Sequence, residues 1–333
     1  MDAVTDYNME GLTKMKTQLN MTDTRCDLDR FWCRQDFVDL IDGFDGVELM
    51  CIEGDTRGII PKERVIGLHM NCLPYWVDFW NGNEQALEEE FGSLDECERA
   101  YGGSDRSALI NHYLRDISAA LRYEAEYMVF HVSDVRVDES LTRQFRRSDA
   151  SVIVATCELM DALLSLCPNM PAVFFENLWL PGLTFTDVSA TRLLLDAFPD
   201  RRFGLMLDTG HIAHTCLELT TQEEALSYIN KLLDEHGPIC ERIRGVHLNM
   251  SITSDYCKRM MASPPPLAST YGERMTQMFY HGLSCDRHMP FTCDGVDTLI
   301  KRISPDYLTF EFITNDNEQL KHYILQQRQT LRI

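Results

Sequence analysis

Short apolar runs alternate along the chain with segments of helical spacing, and nearly every run ends on an ionisable residue. Asp45-Gly46-Val47-Glu48-Leu49-Met50-Cys51 is a brief apolar stretch after a turn signal, the pattern of a strand buried on both faces. The same unit returns at residues 65–69, 127–131, 172–176, 203–208, 243–247 and 307–311. With residues 16–21 as the first, these runs predict eight strands. Helical spacing fills the intervals, over residues 27–41, from about Ser104, and over 151–166, 187–198 and 221–236. Strand and helix alternating in this way predict an α/β protein, a closed (β/α)8 TIM barrel in preference to an open doubly wound sheet.

The chain has 333 residues, within the roughly 200 to 400 that such barrels occupy around one core. A single domain over residues 16–333 is therefore expected. Residues 1–15 lack a period and read as a flexible extension. The long interval between the seventh and eighth strands, about residues 250–305, reads as a loop insertion, because Pro264-Pro265-Pro266 forbids helix or central strand. Gly102-Gly103-Ser104 reads as a loop closed by a helix N-cap at Ser104. Met260, Met261, Met275 and Met278 are expected to fill irregular core space.

In a barrel of this kind the residues at the carboxyl ends of the strands face one shared pocket. Here they are Glu48, His69, His131, Glu176, Asp208, His247 and Glu311. All seven are ionisable, which a random set of strand ends would not be. Mixed carboxylate and imidazole donors suit a borderline divalent ion, manganese first, with zinc, iron or cobalt as alternatives. Magnesium would prefer oxygen alone, and no cysteine stands at these positions.

Composition narrows the partners. Lys and Arg number 31 against 52 Asp and Glu, a net charge of −21 with histidine neutral. Such a surface repels phosphate backbones and shows no basic run, so nucleic acid is not expected as a partner. No apolar run is long enough to span a membrane. The 12 cysteines include no C-x-x-C pair and no signal peptide precedes them, so they read as reduced thiols in a cytoplasmic protein. A homo-oligomer is compatible with the sequence.

Phe174-Phe175-Glu176-Asn177, Leu207-Asp208-Thr209-Gly210-His211, Gly245-Val246-His247 and Phe310-Glu311 resemble the site motifs of the xylose-isomerase-like barrel superfamily. That group spans sugar phosphate isomerases and epimerases and the endonuclease IV type apurinic-site nucleases (AP endonuclease family 2). The likeness runs from about residue 16 to the C-terminus. In the isomerase branch it implies one metal on Glu176, Asp208, His247 and Glu311, with His211 reaching the substrate and the two glutamates moving protons. The nuclease branch implies a larger set that adds His69, His131, His211, Asp286 and His288, and hence two or three ions. The Gly-Glu-Gly that follows Asp-Arg-His in the nucleases is replaced here by Met289-Pro290-Phe291-Thr292.

The reading drawn from residues and resemblance together is a divalent-metal-dependent isomerase or epimerase of a sugar or related polyhydroxy small molecule. Glu176, Glu311 and His211 are its catalytic residues; His69, His131, Trp76, Trp80 and Arg287 are its substrate-binding residues, the tryptophans roofing the pocket from the loop after His69. A multinuclear metal phosphodiesterase of the AP endonuclease type is the first rival. A non-catalytic metal- or ligand-binding barrel is the second.

Overall fold

A computed structural model describes residues 15–332. Its strands are β1 Lys16–Thr22, β2 Gly46–Met50, β3 Val65–His69, β4 Tyr127–His131, β5 Ala172–Glu176, β6 Phe203–Asp208, β7 Ile243–Leu248 and β8 Tyr307–Phe310. Each pairs in parallel with the next, and β8 returns to β1, closing a (β/α)8 barrel in chain order. The extension expected over residues 1–15 falls outside the described residues except for Met15, which packs half-buried against the core.

Side chains alternate along each strand, and the two sets do different things. Leu19, Val47, Leu49, Leu68, Met128, Phe130, Val173, Phe175, Leu205, Leu207, Val246, Leu308 and Phe310 join the large core shared with the helices. Each contributes roughly 1.5–3 kcal/mol relative to exposure, which lets this outer layer support an interior that is not apolar. Tyr127, Val129, Phe174 and Met206 form a separate small cluster. One step further along the same inward stripe the residues become charged: His131 follows Val129, Glu176 follows Phe174 and Asp208 follows Met206. Register aligns these ends, with His131 opposite Glu176 and Asp208 opposite His247.

Four local expectations change. The helix expected over residues 27–41 is two, Arg25–Leu28 and Arg34–Leu40, because Asp36 Oδ2 accepts from the Trp32 and Cys33 amides at 2.9 and 3.2 Å and starts a new helix there. The helix after Gly102-Gly103 is capped by Asp105, which accepts from Ser107 N at 2.8 Å, and not by Ser104. The interval between β7 and β8 carries helices at Ser254–Ala262, Tyr271–Cys285 and Val296–Ile303; residues 249–253, the segment around the three prolines and residues 286–295 stay outside helix. Met261 is exposed on these helices and Met260, Met275 and Met278 are half-buried, so they do not fill the core as expected.

Gly67 shows how tightly the interior is built. A Cβ there would sit 2.3 Å from a ring carbon of Tyr127, a distance no pair of carbons tolerates. Replacing Gly67 by alanine is expected to destabilise the protein by about 1–3 kcal/mol through overpacking, read as a lower urea midpoint with an unchanged slope.

Candidate metal centre

The site begins with the strand ends and is completed by the turns that follow them. Asp208 caps the short helix Thr209–His214, its Oδ1 accepting from His211 N at 2.6 Å. That turn brings the His211 ring back over the barrel. Asn177 clips β5 to β6 by giving Nδ2–H to the Asp208 carbonyl (3.1 Å) and accepting from Asp208 N (2.9 Å). Gly210 is required because Asn249 Oδ1 would stand 2.0 Å from a Cβ at that position. Asn249 in turn donates Nδ2–H to Asp208 Oδ2 (2.7 Å) and Glu311 Oε2 (3.2 Å), holding two like charges side by side.

Glu176 is the hub. It is 0% exposed, and four imidazoles surround it. Oε2 lies 3.1 Å from His69 Nε2 and 3.0 Å from His131 Nε2. Oε1 lies 3.2 Å from His211 Nδ1 and 3.3 Å from His247 Nδ1. Glu311 Oε2 is 3.3 Å from His247 Nδ1 on the other side. Among the described residues three groups have donor atoms close enough to share an ion: Glu176 with Asp208, His247 and Glu311; His69 with Glu176 and His247; and His211 with Asp286 and His288.

Asp286 and His288 are brought together in a turn, with His288 Nε2 2.7 Å from Asp286 Oδ2. Ser251 Oγ accepts from the amides of Arg287 and His288 at 2.6 and 3.1 Å and so holds the turn. His288 has φ +46°, a conformation that costs a non-glycine residue energy and is held here by its surroundings. Arg287 faces solvent between them.

The donor chemistry calls for cations. His69 Nδ1 lies 3.0 Å from the Met70 carbonyl and His211 Nδ1 2.9 Å from that of Asn177. A carbonyl only accepts, so each Nδ1 carries the hydrogen and a neutral ring offers its Nε2 lone pair. Those lone pairs face Glu176 Oε2 and, at 3.0 Å, Asp286 Oδ2. Two acceptors at such range are stable only with a proton or a metal ion to satisfy both. Glu176 Oε1, His247 Nδ1 and His288 Nδ1 are buried with no well-formed hydrogen bond, so the residues present fit a divalent ion.

Without an ion, protons take its place. Burial works against charge on every imidazole, yet the Glu176 carboxylate raises His131 to about 10 and Asp286 raises His288 to about 9. His211 and His247 are likewise held well above the usual imidazole range against burial, by Asp208 and Asp286 for the first and by Glu311, Glu48 and Glu176 for the second. Burial pushes Glu311 up to about 8, whereas the histidines hold Glu176 and Asp286 well below the carboxylate range despite burial.

The substrate-binding tryptophans are corrected. Trp76 and Trp80 are buried in the core, Trp76 Nε1 donating to the Ser133 carbonyl (2.8 Å) and Trp80 Nε1 to Glu158 Oε2 (2.9 Å). Trp76 is tied to the loop after β4 and Trp80 to the helix Asp149–Leu166, both as core residues and not as an open roof over the site. The aromatic ring beside the site is Trp179, with its centroid 5.1 Å from that of His211 and 4.9 Å from that of His214. Sequence reasoning passed over it, although it stands three residues after Glu176. It also missed Asn249, which period two places on the same face as His247. Cys72, outside the strand ends, shares a small recess with His131.

No protein-family model and no curated protein matches the chain. Solved structures similar to it include a D-tagatose 3-epimerase-like protein, 12% identical, with 96% of this chain and 98% of that chain covered at a TM-score of 0.49. A 3-keto-D-glucoside 4-epimerase from E. coli is 12% identical, with 95% and 100% covered at 0.49. Endonuclease IV from Thermus thermophilus is 14% identical, with 95% and 99% covered at 0.47. Likeness of this degree assigns no residue a role.

Because an incoming ion displaces protons from imidazoles held near 9 and 10, metal affinity should rise as pH rises from 6 to 9. Competition with a chromophoric chelator at each pH checks this, together with proton release in weakly buffered solution. A pH-independent affinity would contradict it.

Proposed function

We propose that the protein is a divalent-metal-dependent hydrolase of phosphate esters, acting on a small phosphorylated substrate at a centre of two or more ions. The observation that carries this reading is the enclosure of Glu176 by four imidazoles. A carboxylate so placed, with two imidazoles facing each oxygen and no exposed surface, suits a shared ligand better than a group that takes a proton from carbon. A general base must also exchange its proton near the working pH, and Glu176 is held far below it. The two-carboxylate isomerase scheme therefore loses one of its partners. It uses His211 for the substrate but gives no task to Asp286 and His288, whose donor atoms lie close to that ring.

Manganese or zinc ions on these groups would supply Lewis-acid polarisation of a phosphoryl oxygen and a water acidified for attack near neutral pH. The chain's own residues do the rest. Asn249 keeps the Asp208 and Glu311 oxygens together, and Ser251 fixes the Asp286–His288 turn. Trp179 covers the His211 and His214 side against water. Arg287, exposed beside Asp286 and His288, is the cation available to a substrate phosphate. A net charge of −21 disfavours a long polyanion, so the substrate is small.

The test is elemental analysis of metal-saturated protein alongside hydrolysis of bis(4-nitrophenyl) phosphate. Two or more ions per chain are expected, with turnover that chelation abolishes and that Glu176→Gln lowers at least about a hundredfold, the upper range for disturbing a metal site. One ion per chain, no hydrolysis, and exchange of solvent deuterium into a ketose would restore the isomerase reading. Ion binding with no turnover of either kind would leave a binding barrel.

A further inference from the structure

The inward stripe does not end at the ligands. Below them, on β2, Glu48 is buried at 2% exposure with Oε1 2.8 Å from His247 Nε2. His247 is 0% exposed, and its other nitrogen, Nδ1, faces Glu176, Glu311 and Asp208 at 3.3, 3.3 and 3.9 Å. One ring edge thus meets the carboxylates of the candidate centre and the opposite edge meets a carboxylate outside it. The Nε2 contact is close but bent, since it does not align with the N–H bond well enough to count as a full hydrogen bond.

Glu48 is itself held in place from below. Tyr127 O–H donates to Oε2 at 2.5 Å, and the hydroxyl of Thr309 lies 3.4 Å from the same oxygen. Gln18 donates to both Tyr127 Oη and Thr309 Oγ1. Gly67 leaves the space that the Tyr127 ring fills. Five strands therefore converge on the position of one carboxylate, although burying a further negative charge beside Glu176, Asp208 and Glu311 opposes folding.

We infer that Glu48 is a positioning residue for the metal centre: it holds the hydrogen on His247 Nε2 and so turns the Nδ1 lone pair toward the ion shared by Glu176, Asp208 and Glu311. A carboxylate on the far nitrogen of a ligating histidine fixes its tautomer and raises its basicity, and losing it typically weakens metal binding about 10–100-fold. The inference rests on the proposed metal centre. It assigns work to a residue in the middle of β2 that belongs to none of the candidate ion-binding groups.

The experiment measures manganese and zinc dissociation constants by chelator competition for the wild-type chain, Glu48→Gln and Tyr127→Phe, with urea unfolding of each in excess chelator. Glu48→Gln is expected to weaken binding at least about tenfold. Its stability in chelator should equal or exceed that of the wild type, because one charge leaves a crowded anionic interior; a merely structural role would lower it. Tyr127→Phe keeps the ring and loosens Glu48, so a smaller loss of affinity is expected. Wild-type affinity in Glu48→Gln overturns this inference alone. If Glu48→Gln does not fold, its part is taken by Tyr127→Phe, in which unchanged affinity overturns the inference. No metal binding by the wild-type chain overturns this inference and the proposed function together.

Discussion

Five carboxylates, from Glu48, Glu176, Asp208, Asp286 and Glu311, are buried together at one end of the barrel. Charge in such surroundings costs several kcal/mol per ion unless it is matched, and the rest of the structure is arranged around that demand. Imidazoles stand against nearly every buried oxygen, and their tautomers are tied by backbone carbonyls in His69 and His211. Where like charges meet, an amide separates them, as Asn249 does between Asp208 and Glu311. The closed sheet supplies the rigidity that keeps these groups from moving apart. Ordinary hydrophobic burial on its outer face stabilises what its inner face does not.

The same arrangement explains why the site is layered. Tyr127, Gln18 and Thr309 form a neutral hydrogen-bonded floor, Glu48 is the first charge above it, and the candidate ligands follow. Polar groups that are fully bonded cost little to bury, whereas half-satisfied ones cost much. The floor is largely satisfied, Gln18 Oε1 alone of its side-chain polar atoms lacking a partner, and satisfaction is least complete at Glu176 and His247, where unpaired donor and acceptor atoms accumulate. The molecule thus concentrates its unmet demand at one level, the level at which a cation can enter from the barrel mouth.

Strand periodicity made the barrel legible, because runs buried on both faces and ending in ionisable residues leave few alternatives, and the register then set His131 beside Glu176 and Asp208 beside His247. The placing of the candidate ligands was readable in the same way: each sits at a strand end or in the Asp208 and Asp286 turns. What failed to show was decided by tertiary packing. An aromatic run such as Tyr75 to Trp80 reads alike whether it roofs a pocket or fills a core, and only the partners of the indole nitrogens distinguish the two. Prolines at 264–266 interrupt the segment before β8 without forbidding the helices on either side. Glu48 could be placed on the inward face from its period, but nothing in the sequence tells which imidazole edge it meets.

The acidic surface and the anionic interior act in the same direction. A net charge of −21 draws divalent cations toward the chain and repels extended polyanions, and both effects weaken with added salt. The first helps to load a centre that needs positive charge; the second limits which anions reach it. On the proposed reading, a small phosphate ester approaching the mouth would meet the same repulsion at long range, so its affinity would have to come from short-range contacts with the ions and with Arg287. Metal loading and substrate binding are therefore coupled through charge: until the carboxylates of the centre are neutralised, an anionic substrate has nothing to bind. In the ion-free chain protonated imidazoles offset only part of that charge, and they offer no open coordination position to a phosphoryl oxygen.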